Sequence, residues 1–269
     1  MGIFDGVLLA CDVDGTLLNS RSELTPAVSG ALASFTARGG RFTVATGRSY
    51  LGFETLRPSL PLSAPAILSN GAYIYDYDKG EALRARWLGG PFEAALTDIL
   101  DAFPTVGTEL HWPDKVAIMN YNRWNEQHMR SVRCVPRMIA TPADTPPPWR
   151  KALFVDDNKV LTAIRDFAVP RWGKDFSFFF SAENLLEMQN TGVDKAEGIA
   201  FLVKALGLDP KHAYAAGDAG NDLGMLRAYP SFAMRSGTPE ARAAATYTVP
   251  SCDADGLVDA VRILEGIYG

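Results

Sequence analysis

The chain has 269 residues, 47% of them hydrophobic, and a formal net charge of -5. That length suits one large domain or two smaller ones with a sizeable core. The acidic balance excludes a general nucleic-acid face, which needs a basic surface, and offers nothing to an anionic membrane. No apolar run approaches the ~20 residues of a membrane span. The three cysteines, Cys11, Cys134 and Cys252, lie far apart with no CxxC pair. This spacing argues against a zinc site or a disulfide framework and suits a reducing compartment. The first residues carry no basic segment followed by an apolar core, so the expected location is the cytoplasm.

In chain order, Val7 to Asp12 reads as a buried strand ending in Asp12-Val13-Asp14-Gly15-Thr16. Thr25-Pro26 starts a helix whose apolar face is Val28, Leu32 and Phe35, and Gly39-Gly40 ends it. Arg41 to Ala45 is a second strand, leading into Thr46-Gly47-Arg48-Ser49, and a helix fits Tyr50 to Arg57. Pro65 to Leu68 is a third strand, followed by Ser69-Asn70-Gly71. Strand, helix and strand at this spacing predict right-handed parallel crossovers.

The character changes near Asp76 to Gly80. A helix fits Phe92, Leu96, Ile99 and Phe103, and Val106 to Leu110 should pair with Val116 to Met119 across Pro113-Asp114. His111-Trp112 then falls in a hairpin loop, and Thr141 to Pro148 is a Pro-rich loop. Leu153 to Val155 and Phe176 to Phe180 read as strands around a helix from Val160 to Phe167. This is an α+β unit. After Gly192 the alternation returns. Ile199, Leu202, Val203 and Leu206 mark a helix, and His212 to Ala216 a short strand before Gly217-Asp218. A helix from Asp222 to Ala228, a strand Phe232 to Met234 and a last helix striped by Leu257, Val261 and Leu264 complete the chain. The expected architecture is an α/β, doubly wound parallel (Rossmann-like) sheet made of residues 1–80 plus 191–269. An α/β cap, residues 81–190, is inserted into it.

Polar clusters stand where strands end: Asp12/Asp14, Thr46, and Asp218/Asn221/Asp222. Open parallel sheets bind ligands at such strand ends. Lys195 joins them at a helix start. Taken singly, each is common turn chemistry. Taken together, in this order and interrupted by an inserted domain, they resemble the haloacid dehalogenase superfamily. The position of the insert, with Ser69-Asn70-Gly71-Ala72 before it, is similar to the Cof-type phosphatase branch with a large α/β cap.

The resemblance implies a Mg²⁺-dependent phosphatase acting on small phosphorylated metabolites such as sugar phosphates. Asp12 is then the nucleophile that forms an aspartyl phosphate. Asp14 is the acid and base, Thr46 binds a phosphoryl oxygen, and Lys195 holds Asp12. Asp12, the Asp14 backbone carbonyl and Asp218 hold the ion, with Asn221 and Asp222 in the same motif. Gly47, Arg48, Asn70 and Gly71 are the expected substrate-lining positions. Arg48 has an equal claim to pairing with a carboxylate and bracing the Thr46 loop. The same set leaves open a phosphomannomutase-like phosphotransferase or a non-catalytic phosphometabolite-binding protein, as a monomer or homodimer. Two positions depart from the family pattern: Lys195 is followed by Ala196, and Met234-Arg235-Ser236-Gly237 stands where Met-Gly-Asn-Ala is usual. Arg235 is read as a surface residue. His128 and His212 lack ligand-spaced partners and are read as structural or exposed.

Overall fold

The computed structural model describes residues 2–112, 115–131, 135–144 and 147–269. Cys134, the Pro113-Asp114 turn and part of the Pro-rich loop lie outside them.

The first apolar run forms β1 (Leu8–Cys11), buried along its length. Thr25 caps α1 (Pro26–Ala37), its hydroxyl accepting the Val28 N–H, while Pro26 occupies the first turn, where no N–H is needed. β2 (Arg41–Val44), the short α2 (Tyr50–Glu54), β3 (Ala66–Leu68), β4 (Tyr73–Asp76) and β5 (Glu81–Ala85) follow. Next come α3 (Phe92–Ala102), β6 (Gly107–His111), β7 (Val116–Met119), α4 (Arg123–Ser131), β8 (Arg137–Met138), β9 (Lys151–Val155), α5 (Asn158–Trp172), β10 (Phe176–Ala182) and β11 (Leu185–Asn190). The chain ends with α6 (Lys195–Ala205), β12 (Ala213–Gly217), α7 (Leu223–Ala228), β13 (Ser231–Met234), α8 (Pro239–Ala244), β14 (Tyr247–Val249) and α9 (Gly256–Tyr268).

By packing, the chain forms two units. One comprises the segments up to Gly47, Leu56–Arg84 and Asp194–Gly269; the other comprises Arg48–Thr55 and Ala85–Val193. The first unit holds a five-stranded sheet in the order β14-β13-β12-β1-β2, with every pairing parallel. Successive strand residues face opposite sides. Leu8 and Ala10 pack with Ile199, Leu202 and Val203 of α6 and Met225 of α7. α1 and α9 pack against one another, with Val28, Leu32 and Phe35 of the first and Leu257, Val261 and Leu264 of the second buried. That is the doubly wound parallel sheet expected from the sequence.

The third strand returns parallel to the second, as its spacing predicts, and the strand after it is the new feature. β3 meets the end of β2 through a single parallel bridge, Ala45 to Ile67, and its ladder runs antiparallel to β4 in a separate β3-β4-β5 sheet. The cause is local. Ser69, Asn70 and Gly71 have φ of 49°, 51° and 96° and turn the chain back within three residues, too few for a parallel crossover.

In the second unit a six-stranded sheet runs β10-β11-β9-β6-β7-β8. Leu110, Ala152, Phe154, Leu186 and Met188 form one core with Phe92, Leu96 and Ile99 of α3 and Leu161, Ile164 and Ala168 of α5. The alternating positions Glu109, His111, Lys151 and Glu187 are buried too. His111 is therefore not in a hairpin loop. It is the last residue of β6, paired with Val116 and Lys151, and Trp112 is buried behind it. Its Nε2 lies 3.0 Å from Glu109 Oε2. His128 Nδ1 and Asn125 Nδ2, both from α4, also donate to the Glu109 carboxylate at 3.0 Å. Lys151 and Glu187 pair at 2.8 Å.

Candidate active site

Parallel pairing brings three strand ends to one level. The Asp12 N–H donates to Ala216 O of β12 and the Ala45 N–H to Cys11 O of β1, each at 2.8 Å. Asp12 therefore stands between Thr46, just beyond β2, and Asp218, just beyond β12. Thr46 is buried, and the Asn70 N–H donates to its carbonyl at 2.8 Å. Burial pushes the Cys11 thiol up, so it packs as a neutral thiol beside the site.

The turn after Asp12 is shaped by close approach. Gly15 has φ +81°, and a Cβ there would lie 2.6 Å from Asp218 Oδ2. Thr16 Oγ1 donates to Asp218 Oδ1 at 2.8 Å. Gly217 leaves room for Asp222, whose Cβ would be 2.6 Å from an added methyl group. Asp222 Oδ2 accepts the N–H groups of Asp218 and Ala219 at 2.9 Å each.

Lys195 is the first residue of α6, behind the cap Asp194, whose Oδ1 accepts the Glu197 N–H at 2.8 Å. Its side chain is fully buried, and Nζ lies 2.6 Å from both Asp12 Oδ1 and Asp222 Oδ1. Burial alone would lower the pKa of this ammonium, but the carboxylates of Asp12 and Asp222 outweigh it and hold the proton on. Burial, with Asp222 and Asp218, pushes the Asp12 carboxyl well above its usual value, against the pull of Lys195. Asp218 is pushed up to about 6 by burial and by Asp222.

The haloacid dehalogenase-like hydrolase family profile matches residues 9–261. The chain belongs to that family. It is 26% identical to the pyridoxal phosphate phosphatase of Escherichia coli over 82% of this chain and 84% of that protein. It is 25% identical to a phosphoglycolate phosphatase of Natronomonas pharaonis over 94% and 95%. A chloroplastic endoribonuclease YBEY of Arabidopsis thaliana is 26% identical over 93% of this chain, which spans only 45% of that longer protein. The fold is shared with a haloacid dehalogenase-like hydrolase from Bacteroides thetaiotaomicron (TM-score 0.84, 22% identity, 97% of this chain and 99% of that one). It is also shared with a subclass IIB sugar phosphatase (TM-score 0.84, 19% identity, 96% and 99%). The chain is an enzyme of the phosphoric monoester hydrolase kind.

As a metal centre for this hydrolase family the donor set is coherent. Carboxylate oxygens of Asp12, Asp218 and Asp222 lie within 4.8 Å of one another. Three carboxylates against one ammonium leave an excess of negative charge, and Asp222 adds to the burial that raises Asp218. An all-oxygen anionic set suits a hard cation such as Mg²⁺. Among the described residues, Asp12 Oδ2 and Asp218 Oδ2 accept no hydrogen bond, whereas both Asp222 oxygens are engaged. Asp12 and Asp218 are therefore the carboxylates open to a cation, and Asp222 braces the loop and Lys195.

The remaining expected positions distribute as follows. Asp14 is exposed, one residue before the Gly15 turn. Asn221 donates from Nδ2 to Asn70 Oδ1 at 3.2 Å, joining two loops at the strand ends. Gly71 serves the packing, since a Cβ there would lie 2.1 Å from the Asp194 carbonyl. Gly47 closes the first segment of the first unit; Arg48 packs with the second unit and donates to Gly52 O at 3.3 Å. Arg235 is exposed. Sequence reasoning missed Thr16, although it sits inside the first motif. It also missed Gly15 and Gly217 as clearance for Asp218 and Asp222; a glycine directly beside a clustered Asp was the available signal.

Proposed function

We propose that the chain is a Mg²⁺-dependent phosphatase for small phosphomonoesters, sugar phosphates or related metabolites, working through a phosphoryl group carried on Asp12. The observation that supports this best is the fully buried Lys195 held between Asp12 and Asp222. That bridge fixes the Asp12 carboxylate and keeps a positive charge where a dianionic substrate would arrive, so positioning and charge are prearranged.

In the first step an Asp12 oxygen bonds to phosphorus as the ester oxygen departs, and Asp14 gives that oxygen a proton. In the second, water attacks the same phosphorus, Asp14 takes its proton, and the Asp12–phosphorus bond breaks to release inorganic phosphate. Lys195 keeps the reacting carboxylate in place through both steps, and Thr46 donates to a phosphoryl oxygen. When bound, the cation would be held by Asp12, Asp218 and the Asp14 carbonyl and would supply charge neutralisation to the phosphoryl oxygens. Asp14 is exposed, which suits a group that must meet both the leaving alcohol and water. Substrate choice is assigned to the inserted unit. The enzyme is assigned to the cytoplasm, where Cys11 and Cys252 stay reduced. Among the described residues no helix is long and apolar enough to cross a membrane.

The test is release of free phosphate from a panel of phosphorylated metabolites with Mg²⁺ and with EDTA. Turnover that needs Mg²⁺ is the expected result. Transfer of the phosphoryl group to a second sugar hydroxyl without phosphate release, or no turnover across the panel, overturns the reading.

A further inference from the structure

Lys195 has to be placed to within a fraction of an ångström, yet it stands at the first position of α6, where the helix has fewest bonds of its own. Further along, Ile199, Leu202 and Val203 bury the helix against the sheet. These contacts fix its body; the first turn needs its own restraint.

That restraint is a closed ring of contacts. The Asp194 carbonyl packs against Gly71 so tightly that no Cβ fits, and Gly71 sits at φ +96° at the end of the Ser69–Gly71 turn. Two residues after Lys195, the Glu197 carboxylate accepts from Arg84 Nη1 at 2.7 Å and Nη2 at 2.6 Å. Arg84 Nη2 also donates to Gly71 O at 2.9 Å, which closes the ring. The guanidinium lies 4.8 Å over the Phe201 ring, about one turn beyond Glu197 on α6. The Arg84 side chain is only 11% exposed and the Glu197 side chain 36%, so the guanidinium is the shielded half of the pair. The location matters as well. Arg84 is the last residue of the first unit before the chain enters the insert, and Asp194 is the first after it returns.

We propose that Arg84 is a positioning residue for Lys195, acting through Glu197 and Gly71 to lock the first turn of α6 onto the Ser69–Gly71 turn and to pin the outgoing and returning segments together. The inference rests on the role given to Lys195 above. Only a planar fork can engage both Glu197 oxygens, a carbonyl and a ring face at once. A lysine keeps the charge but not that geometry. Misplacement of a reacting group by about 1 Å costs up to roughly a hundredfold in rate.

The test compares Arg84→Lys and Glu197→Gln with Arg38→Ala, which removes the Arg38–Glu265 ion pair on the α1/α9 side of the same unit. Two readouts are used: the ¹⁵Nζ resonance of the Lys195 ammonium, and kcat and KM for p-nitrophenyl phosphate with Mg²⁺. Arg84→Lys and Glu197→Gln should each move the Lys195 resonance and lower kcat about tenfold with KM within about twofold. The double variant should be no worse than either single one, because the two residues act as one unit. Arg38→Ala should move neither readout. An unmoved Lys195 resonance in Arg84→Lys overturns the proposal, as does a kcat loss that only tracks thermal stability across all three variants. Should the wild type hydrolyse no phosphomonoester, the functional reading fails, while the resonance still decides the role of Arg84.

Discussion

Replacing Lys195 with methionine removes the charge but keeps most of the volume, so the effect isolates electrostatics from cavity formation. Asp12 and Asp222 are buried, and each loses a partner at 2.6 Å. Breaking a buried ion pair costs about 3–5 kcal/mol because the remaining charge has no compensation. The cost should depend on pH in a stated direction. In the variant nothing pulls the Asp12 carboxyl down, while burial and the neighbouring carboxylates still push it up. Its folded pKa therefore lies above the unfolded value of about 3.9. Such a group favours the fold below the unfolded pKa and loses that contribution as pH rises through the folded pKa. Each pH unit in that window costs about 1.4 kcal/mol for one extra proton held by the folded state. Burial already raises Asp12 in the wild type, and losing Lys195 raises it further, so the gap to wild type should widen as pH rises. Urea unfolding of both proteins in EDTA from about pH 4 to about pH 7 measures it. A gap that is constant with pH, or below about 1 kcal/mol at pH 7, would refute the reasoning.

Gly15→Ala forces a side chain into the left-handed region and onto Asp218, at a backbone cost of about 1–2 kcal/mol. A lower thermal midpoint and a higher Mg²⁺ concentration for half-maximal activity are expected. Asp218, raised to about 6, favours the metal-free fold below about pH 4 and loses that contribution as pH rises through 6. Mg²⁺ should therefore raise the thermal midpoint at pH 8 and leave it unchanged at pH 4.5. At a hundred times its dissociation constant, the ion would add about 2.7 kcal/mol. Burial would raise Glu109, but His128 and His111 outweigh it and hold it at about 2. Its stabilisation is present above the unfolded value of about 4.3 and is lost as pH falls toward 2. Glu109→Gln should cost about 3 kcal/mol at pH 7 by urea unfolding, with the deficit shrinking in acid.

The legible parts of the sequence were those written in local chemistry. β1 and the Asp12 to Thr16 turn, the Thr25-Pro26 cap and the α6 stripe each depend on neighbours within a few residues, and the structure forms each of them. The strand after β3, β4, and the separate sheet it forms were not legible. Three consecutive positive φ values at Ser69, Asn70 and Gly71 turn the chain back there, and Ser69 carries no signature of such a conformation. β14, a three-residue strand with two exposed positions, gave no periodicity to read. His111 reads as a loop residue because it stands close before Pro113. Its actual environment is set by Glu109 on its own strand and by Lys151 on β9, forty residues away. Arg84 and Glu197 are 113 residues apart, and no local pattern couples an arginine at a strand end to a glutamate in a helix's first turn. Long-range polar pairing is what a single sequence hides.

The central claim is that Asp12 carries the phosphoryl group. Mixing the enzyme with a turned-over phosphomonoester and Mg²⁺, quenching in acid within a turnover and mapping the modified peptide by mass spectrometry tests it directly. The account predicts one phosphoryl group on the peptide containing Asp12, absent from Asp12→Asn, which should also lose turnover. A phosphoryl group on another residue, or full turnover by Asp12→Asn, would contradict it.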